Sequence, residues 1–400
     1  MSNFFIGRQP ILDVNKNAFA YSINFNINPF QYVEDDAENA LNIMGIEKNI
    51  GFSSISGDRI SFIYLPSEVL SRVNFSQFQN IEKLVIEIST QTISNLDSLK
   101  KLKDIKEMGA SICLNNYQNE SVSNQAIEIC DFIKIDYTYF DTQQLEQIVD
   151  QFNKRNIKCI AKNVTNIDIF NILKSIGFYF FEGYFFIEPV YINNKKSSSE
   201  KHFIFELLLK INNPNISFNE LSLEVSKDPL LCHKLLYAIN KPEQGIPVQI
   251  TSIEQALRYM GIKRLITWVN TILITDFHDL PTEQILTALI RARFCEQVSF
   301  MFNLADRKEQ LYMMGLFSNL DAFFNMPLDQ VLLDLPINDN IRNALLHNSG
   351  EFKDIIALVK CFESQPSAFE IVHKSFNPHL NNIYLHACCW AQKMLEPLAA

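Results

Sequence analysis

Three short apolar runs in this chain end in, or carry, residues that could do chemistry. Ala110-Ser111-Ile112-Cys113-Leu114 leads into Asn115, Asn116 and Tyr117, and Phe132-Ile133-Lys134-Ile135-Asp136 carries an ammonium and a carboxylate. Leu84-Val85-Ile86-Glu87-Ile88 sets a carboxylate among apolar neighbours. Such runs read as buried parallel strands, and in a barrel of parallel strands the polar residues at the C-terminal strand ends form the active site. Catalytic chemistry there more usually wants carboxylates, as acid and base or as ligands for hard cations. Asn115 and Asn116 offer neutral amides in their place.

The elements that must position these residues recur at a regular pitch. Before them come Phe5-Ile6-Gly7-Arg8-Gln9-Pro10-Ile11, then a run over residues 19–25, then Ile60-Ser61-Phe62-Ile63-Tyr64-Leu65. After them come Cys159-Ile160-Ala161-Lys162-Asn163-Val164 and the aromatic run 179–186. Between the runs lie amphipathic stretches; over 93–108, Ile93, Leu96, Leu99, Leu102 and Ile105 fall near helical spacing among lysines and aspartates. Strand and helix in alternation predict a parallel sheet with helical crossovers, and seven or eight units suit a closed barrel.

The pattern changes at Asn193-Asn194-Lys195-Lys196-Ser197-Ser198-Ser199-Glu200-Lys201, a polar run without periodicity. We therefore read residues 1–192 as a barrel domain, 193–201 as a linker and 202–400 as an all-helical domain. Helical spacing dominates the latter, as in Phe203, Leu207, Leu208 and Ile211, and again in Ile253, Ala256, Leu257 and Met260. Asp228-Pro229 reads as an N-cap followed by the first helical residue, and Gly261 as a stop.

Composition excludes several classes. A chain of 400 residues, 47% hydrophobic and 20% charged, has enough apolar mass for two cores. A net charge of -10 argues against nucleic acid or an anionic membrane as the main partner. Eight cysteines, with no C-x-x-C pair and no zinc spacing, read as small buried hydrophobes of a reducing compartment; Cys388-Cys389 reads as a helix pair. Neither a signal peptide nor a membrane span is legible, so a cytoplasmic location is expected. No nucleophile motif, phosphate loop or dinucleotide fingerprint occurs, no cofactor is expected, and the histidines show no ligand spacing.

The first half resembles the EAL family, barrel enzymes that hydrolyse cyclic di-GMP. The resemblance rests on Gly7-Arg8-Gln9-Pro10-Ile11, the Glu87 run, Phe132-Ile133-Lys134-Ile135-Asp136 and Gly183-Tyr184-Phe185-Phe186 with Pro189. The second half resembles the HDOD family through Asp228-Pro229-Leu230-Leu231, Ser252-Ile253-Glu254-Gln255-Ala256-Leu257 and Gly261. Together they resemble the EAL-HDOD two-domain signalling proteins, which implies a TIM-like barrel followed by an all-α domain.

An active EAL member implies carboxylates and an amide holding two divalent cations, which activate water for attack on a phosphodiester. By that alignment the signature Glu is Ser22, the following Arg is Asn26, the metal-binding Asn is Tyr64 and a second acidic position is Thr90. The paired aspartates are Asn115 and Asn116, two further acidic positions are Lys162 and Thr165, and the late Gln is Glu182. Glu87, Lys134 and Asp136 remain. An ammonium at Lys162 would oppose a divalent cation by roughly 4 kcal/mol at close range and an effective dielectric near 20.

Glu87 and Lys134, read as lying on neighbouring strands, are expected to form a buried ion pair. Tyr64, Tyr117 and Phe181 could stack on guanine, although aromatics at strand ends are more often core. In the helical domain the metal-binding His-Asp dyad of related phosphohydrolases aligns with Ser318 and Asn319, and a literal His278-Asp279 stands in the wrong context. The expectation is a non-catalytic signalling protein that holds no metal and acts through other signalling proteins, with self-association plausible and a groove of the helical domain able to receive a partner helix. The alternative is a receptor that binds cyclic di-GMP without hydrolysis; residual phosphodiesterase activity ranks last.

Overall fold

The computed structural model describes residues 4–27, 43–48, 51–57, 59–118, 123–187, 199–240, 248–275, 280–363 and 379–395. Eight strands close a barrel in chain order. They are β1 (Phe4–Asp13), β2 (Ala18–Ile27), β3 (Ile60–Tyr64), β4 (Leu84–Ile88), β5 (Ser111–Leu114), β6 (Phe132–Asp136), β7 (Lys158–Val164) and β8 (Phe180–Gly183). Every residue of β4 and of β6 is buried, as expected of strands covered on both faces.

The sheet is not wholly parallel, contrary to the sequence-based expectation. β2 to β8 run parallel, whereas β1 is antiparallel to both β2 and β8. Residues 14–17 join β1 to β2, too short a connection for a parallel crossover, so the two strands form a hairpin. The amphipathic stretch 93–108 also differs from the single helix expected. Asn95 ends one short helix, Thr90–Ser94, and caps the next, Leu96–Glu107, accepting from the amides of Asp97 and Ser98. Leu102 and Ile105 face the core, while Leu96 is 82% exposed.

The chain divides into two compact units, one formed by Met1–Glu188 with Cys361–Leu385 and the other by Pro189–Lys360 with His386–Ala400. The linker expected over 193–201 falls outside the described residues up to 198, and Ser199 opens the helix Ser199–Ile211. The described residues 361–363 and 379–385 belong to the barrel unit, and Phe362 and Asn381 meet β1. On the β8 side only Ile11, Leu12 and Asp13 of β1 are paired among the described residues. Further along, the Ile6 amide donates to Asn381 Oδ1 at 3.2 Å. The Phe362 carbonyl oxygen would stand 2.9 Å from a Cβ at Gly7, and Leu385 enters the barrel's outer core.

The second unit is helical throughout its described residues. Asp228 caps the helix Pro229–Ile239 by accepting from the Leu231 amide at 3.1 Å. Gly261, at φ 76°, breaks the helical path, but a second helical piece continues to Thr275 rather than stopping. The helix Thr282–Val298 is buried on most sides and packs backbone to backbone on Lys308–Phe317, where a Cβ at Gly315 would come within 2.4 Å of the Arg291 carbonyl oxygen. Among the described residues, no helix is long and apolar enough to cross a membrane.

Candidate functional site

The barrel interior explains why the candidate residues converge. Ala20, Phe62, Val85, Cys113, Phe132, Ile160 and Phe180, one from each of β2 to β8, fill an inner apolar layer with Ile11 of β1. Side chains alternate along a strand, so the residue two positions onward faces the same interior, one layer nearer the C-terminal mouth. Those residues are Ser22, Tyr64, Glu87, Asn115, Lys134, Lys162 and Glu182. One polar ring thus sits on one apolar floor.

Lys134 lies at the centre of that ring, 1% exposed. Its ammonium is 2.5 Å from Glu87 Oε1 and donates at 3.0 Å to Ser22 Oγ, which in turn donates to Glu87 Oε1 at 3.2 Å. Glu182 Oε2 is 2.8 Å away, at an angle that makes the contact an ion pair and leaves that oxygen without an aligned hydrogen bond. The Phe62 ring lies below, 5.0 Å from Nζ. An ammonium has three N–H donors, and three oxygen neighbours here match that number. Burial disfavours the Lys134 charge, yet Glu182 and Glu87 more than compensate and raise its pKa above the ordinary lysine range. Burial likewise disfavours the Glu182 carboxylate, but the charges of Lys134 and Lys162 hold its pKa below the usual range. The Cys113 thiol is pushed well up by burial and then by Glu87, so it stays protonated and inert.

The Glu87 and Lys134 ion pair exists, but not for the reason expected. β4 and β6 are not neighbours; β5 stands between them, and the pair spans the barrel interior. Lys162 makes a second cationic contact at the mouth, donating to Asn115 Oδ1 at 3.1 Å and to Asn116 Oδ1 at 2.7 Å. Asn116 adopts φ 52°, a left-handed conformation that asparagine tolerates well. Both amide oxygens that align with the paired aspartates are thereby engaged by a side-chain cation.

Asp136 has a structural task. Its Oδ1 accepts from the amide and hydroxyl of Thr138 at 3.1 and 2.7 Å, capping the turn Tyr137–Tyr139, and its Oδ2 accepts from Asn163 Nδ2 at 2.6 Å. Tyr64, Thr90 and Thr165 do not join the cluster's hydrogen bonds among the described residues. Tyr64 is 42% exposed, Thr90 opens the helix Thr90–Ser94, Thr165 is exposed after β7, and Asn26 lies in β2 opposite Phe5. Of the three aromatics considered for stacking, Tyr117 and Phe181 are buried in the outer core and only Tyr64 is accessible.

In the helical unit, Ser318 Oγ accepts from Arg291 Nη1 at 3.0 Å and donates to the Gly315 carbonyl at 2.8 Å. Asn319 Nδ2 donates to the Gln284 carbonyl at 3.3 Å, while its buried Oδ1 has no hydrogen-bond partner among the described residues. His278 and Asp279 lie outside the described residues.

Phe62, Asn163 and Arg291 escaped the sequence reading. Phe62 was legible as the inward residue two before Tyr64. Asn163, at φ 59°, sits where the β7 and β8 register shifts, and its asparagine identity in a strand was the available signal. Arg291 is 5% exposed, and nothing in the sequence separates it from Arg293 two residues on.

These residues do not fit the two divalent cations that an active EAL site requires. Hard cations need several anionic oxygens. Here Glu87 and Glu182 are held by Lys134, and the two amide oxygens are held by Lys162. Among the described residues no group of three or more His, Cys, Asp and Glu side chains is arranged to hold a metal ion.

Comparison with known proteins follows the same division of the chain. The EAL domain model matches residues 19–189 and the HDOD domain model residues 199–330. YuxH of Bacillus subtilis is 23% identical over 406 residues, covering 98% of this chain and 99% of that protein. The cyclic di-GMP phosphodiesterase CdgJ of Vibrio cholerae is 25% identical over 372 residues, covering 91% of this chain and 85% of its own. Among solved structures, Klebsiella pneumoniae BlrP1 in a calcium and cyclic di-GMP complex aligns with a TM-score of 0.39 at 15% identity, over 46% of this chain and 55% of that one. With a closed eight-stranded barrel, a helical second unit and both domain models matched in order, the chain belongs to the EAL-HDOD two-domain proteins.

Proposed function

We propose that this chain is a signal-transduction protein of the cyclic di-GMP system that does not hydrolyse the nucleotide and acts by binding other proteins. The observation that carries this reading is the engagement of the barrel's polar ring by its own lysines. Lys134 is enclosed by Glu87, Glu182 and Ser22, and Lys162 lies on Asn115 and Asn116. In-line hydrolysis of a phosphodiester at such a mouth needs metal-activated water, and this set of donors offers no place to activate it. Ser318 and Asn319 leave the helical domain without the His-Asp dyad as well. A two-domain chain without that chemistry retains its surfaces, and contact with other signalling proteins is the role left to it.

The test is incubation of the purified full chain with cyclic di-GMP and Mg²⁺ or Mn²⁺, followed by chromatography of the nucleotides. No linear product is expected; turnover that disappears in Glu87→Ala overturns the reading. Binding without hydrolysis is a second reading, favoured by the accessible Tyr64 ring at the mouth. Calorimetry with cyclic di-GMP in EDTA separates the two.

A further inference from the structure

We infer that Lys162 is a tethered cation, fixing the barrel mouth in the way a bound metal ion would. The inference rests on the non-catalytic reading above and concerns a residue for which that reading needs only a charge. Three observations converge on it. Lys162 donates to the two amide oxygens, Asn115 Oδ1 and Asn116 Oδ1, at 3.1 and 2.7 Å. Its charge, after that of Lys134, is among the causes that keep the buried Glu182 ionised. It also lies opposite Asp136 in the β6 and β7 register, so β7 places its charge beside an anionic strand end.

The arrangement is chemically consistent. A carboxylate pair at 115 and 116 would need a divalent ion, whereas an amide pair is neutral and presents only the partial charges of two carbonyl oxygens. One ammonium on a flexible stem satisfies both oxygens without importing an ion. The loop after β5 is thereby anchored from two directions. Its backbone is held by Asn115 N to Ile88 O at 2.8 Å and Tyr117 N to Lys134 O at 3.1 Å, and its side chains are held by Lys162. The geometry of the mouth is accordingly independent of divalent cations, and Lys162 serves as a positioning residue for Asn115 and Asn116.

Hydrogen exchange and thermal unfolding of the full chain test this. In Lys162→Met, amides of the segment 115–117 are expected to exchange at least about tenfold faster, while Lys162→Arg keeps most of the protection. Mn²⁺ and EDTA are expected to leave the wild-type unfolding temperature unchanged. Lys162→Asp, which places a carboxylate among the amides and Glu182, is expected to gain an unfolding temperature that rises with Mn²⁺. Unchanged exchange in Lys162→Met overturns the proposal, as does a Mn²⁺-dependent rise in the wild type or no such rise in folded Lys162→Asp. Hydrolysis of cyclic di-GMP by the wild type would instead sink the functional reading, and the exchange comparison would still judge Lys162.

Discussion

Replacing Lys134 with Met keeps the packing against Phe62 but removes the ammonium that Glu87 and Glu182 share at 2.5 and 2.8 Å. Both carboxylates are almost fully buried, so each then lies in a poorly solvating interior. Breaking a buried pair from one side costs about 3–5 kcal/mol. That is a large share of the roughly 5–15 kcal/mol that holds a domain together. The pH dependence has a defined sign. In the wild type, burial is outweighed by Lys134 and Lys162, so the folded Glu182 pKa lies below its unfolded value. This contribution to stability is present above the unfolded pKa and is lost as pH falls through the folded one. In Lys134→Met burial becomes dominant, the folded carboxyl pKa rises above the unfolded value, and acid now favours the folded form.

The gap between variant and wild type should therefore narrow from neutral pH toward about pH 5, by up to ~1.4 kcal/mol per pH unit for each proton taken up. Native-state hydrogen exchange at β4 and β6 amides is the appropriate assay. Both tryptophans, Trp268 and Trp390, belong to the other unit, so fluorescence would not follow the barrel. A Lys134→Met barrel within about 1 kcal/mol of wild type at neutral pH would refute this account of the cluster, as would a gap that does not narrow in acid.

Other expectations concern the frame around the cluster. Gly183→Ala sets a Cβ 2.0 Å from the Val164 carbonyl oxygen at φ 156°; it should cost more than ~4 kcal/mol and abolish exchange protection in β7 and β8. Gly315→Ala forces Lys308–Phe317 away from Arg291, lowering stability by about 1–3 kcal/mol, and here tryptophan fluorescence is the right monitor. Asp136→Ala removes the acceptor for Thr138 and Asn163 and should cost about 1–3 kcal/mol, with faster exchange confined to the turn Tyr137–Tyr139 and the end of β7.

Much of the site was legible through the resemblance to the EAL family, which assigned Ser22, Glu87, Lys134 and Lys162 to one site. The structure supplies the physical reason they meet: each stands two residues beyond an inward apolar residue. Which partners they choose was not legible. Glu87 reaches Lys134 past the intervening β5, and Lys162 reaches Asn115 past β6; only closure of the barrel brings these pairs together. The antiparallel course of β1 was available in the short connection of residues 14–17, which allows a hairpin and no parallel crossover, and the strand pattern alone did not reveal it. Leu96 misled because its spacing fits a helical face, whereas Asn95 restarts the helix beside it.

The bond from the Ile6 amide to Asn381 joins residues 375 positions apart. During synthesis, strands β1 to β8 are complete long before that acceptor exists. At ~5–20 residues per second the wait from the end of β8 at Gly183 to Asn381 is roughly 10–40 s. For that interval the Ile6 amide lacks its acceptor and is open to competing partners. A gene fragment cut between the two domain matches would make that loss permanent, leaving the Ile6 amide without Asn381.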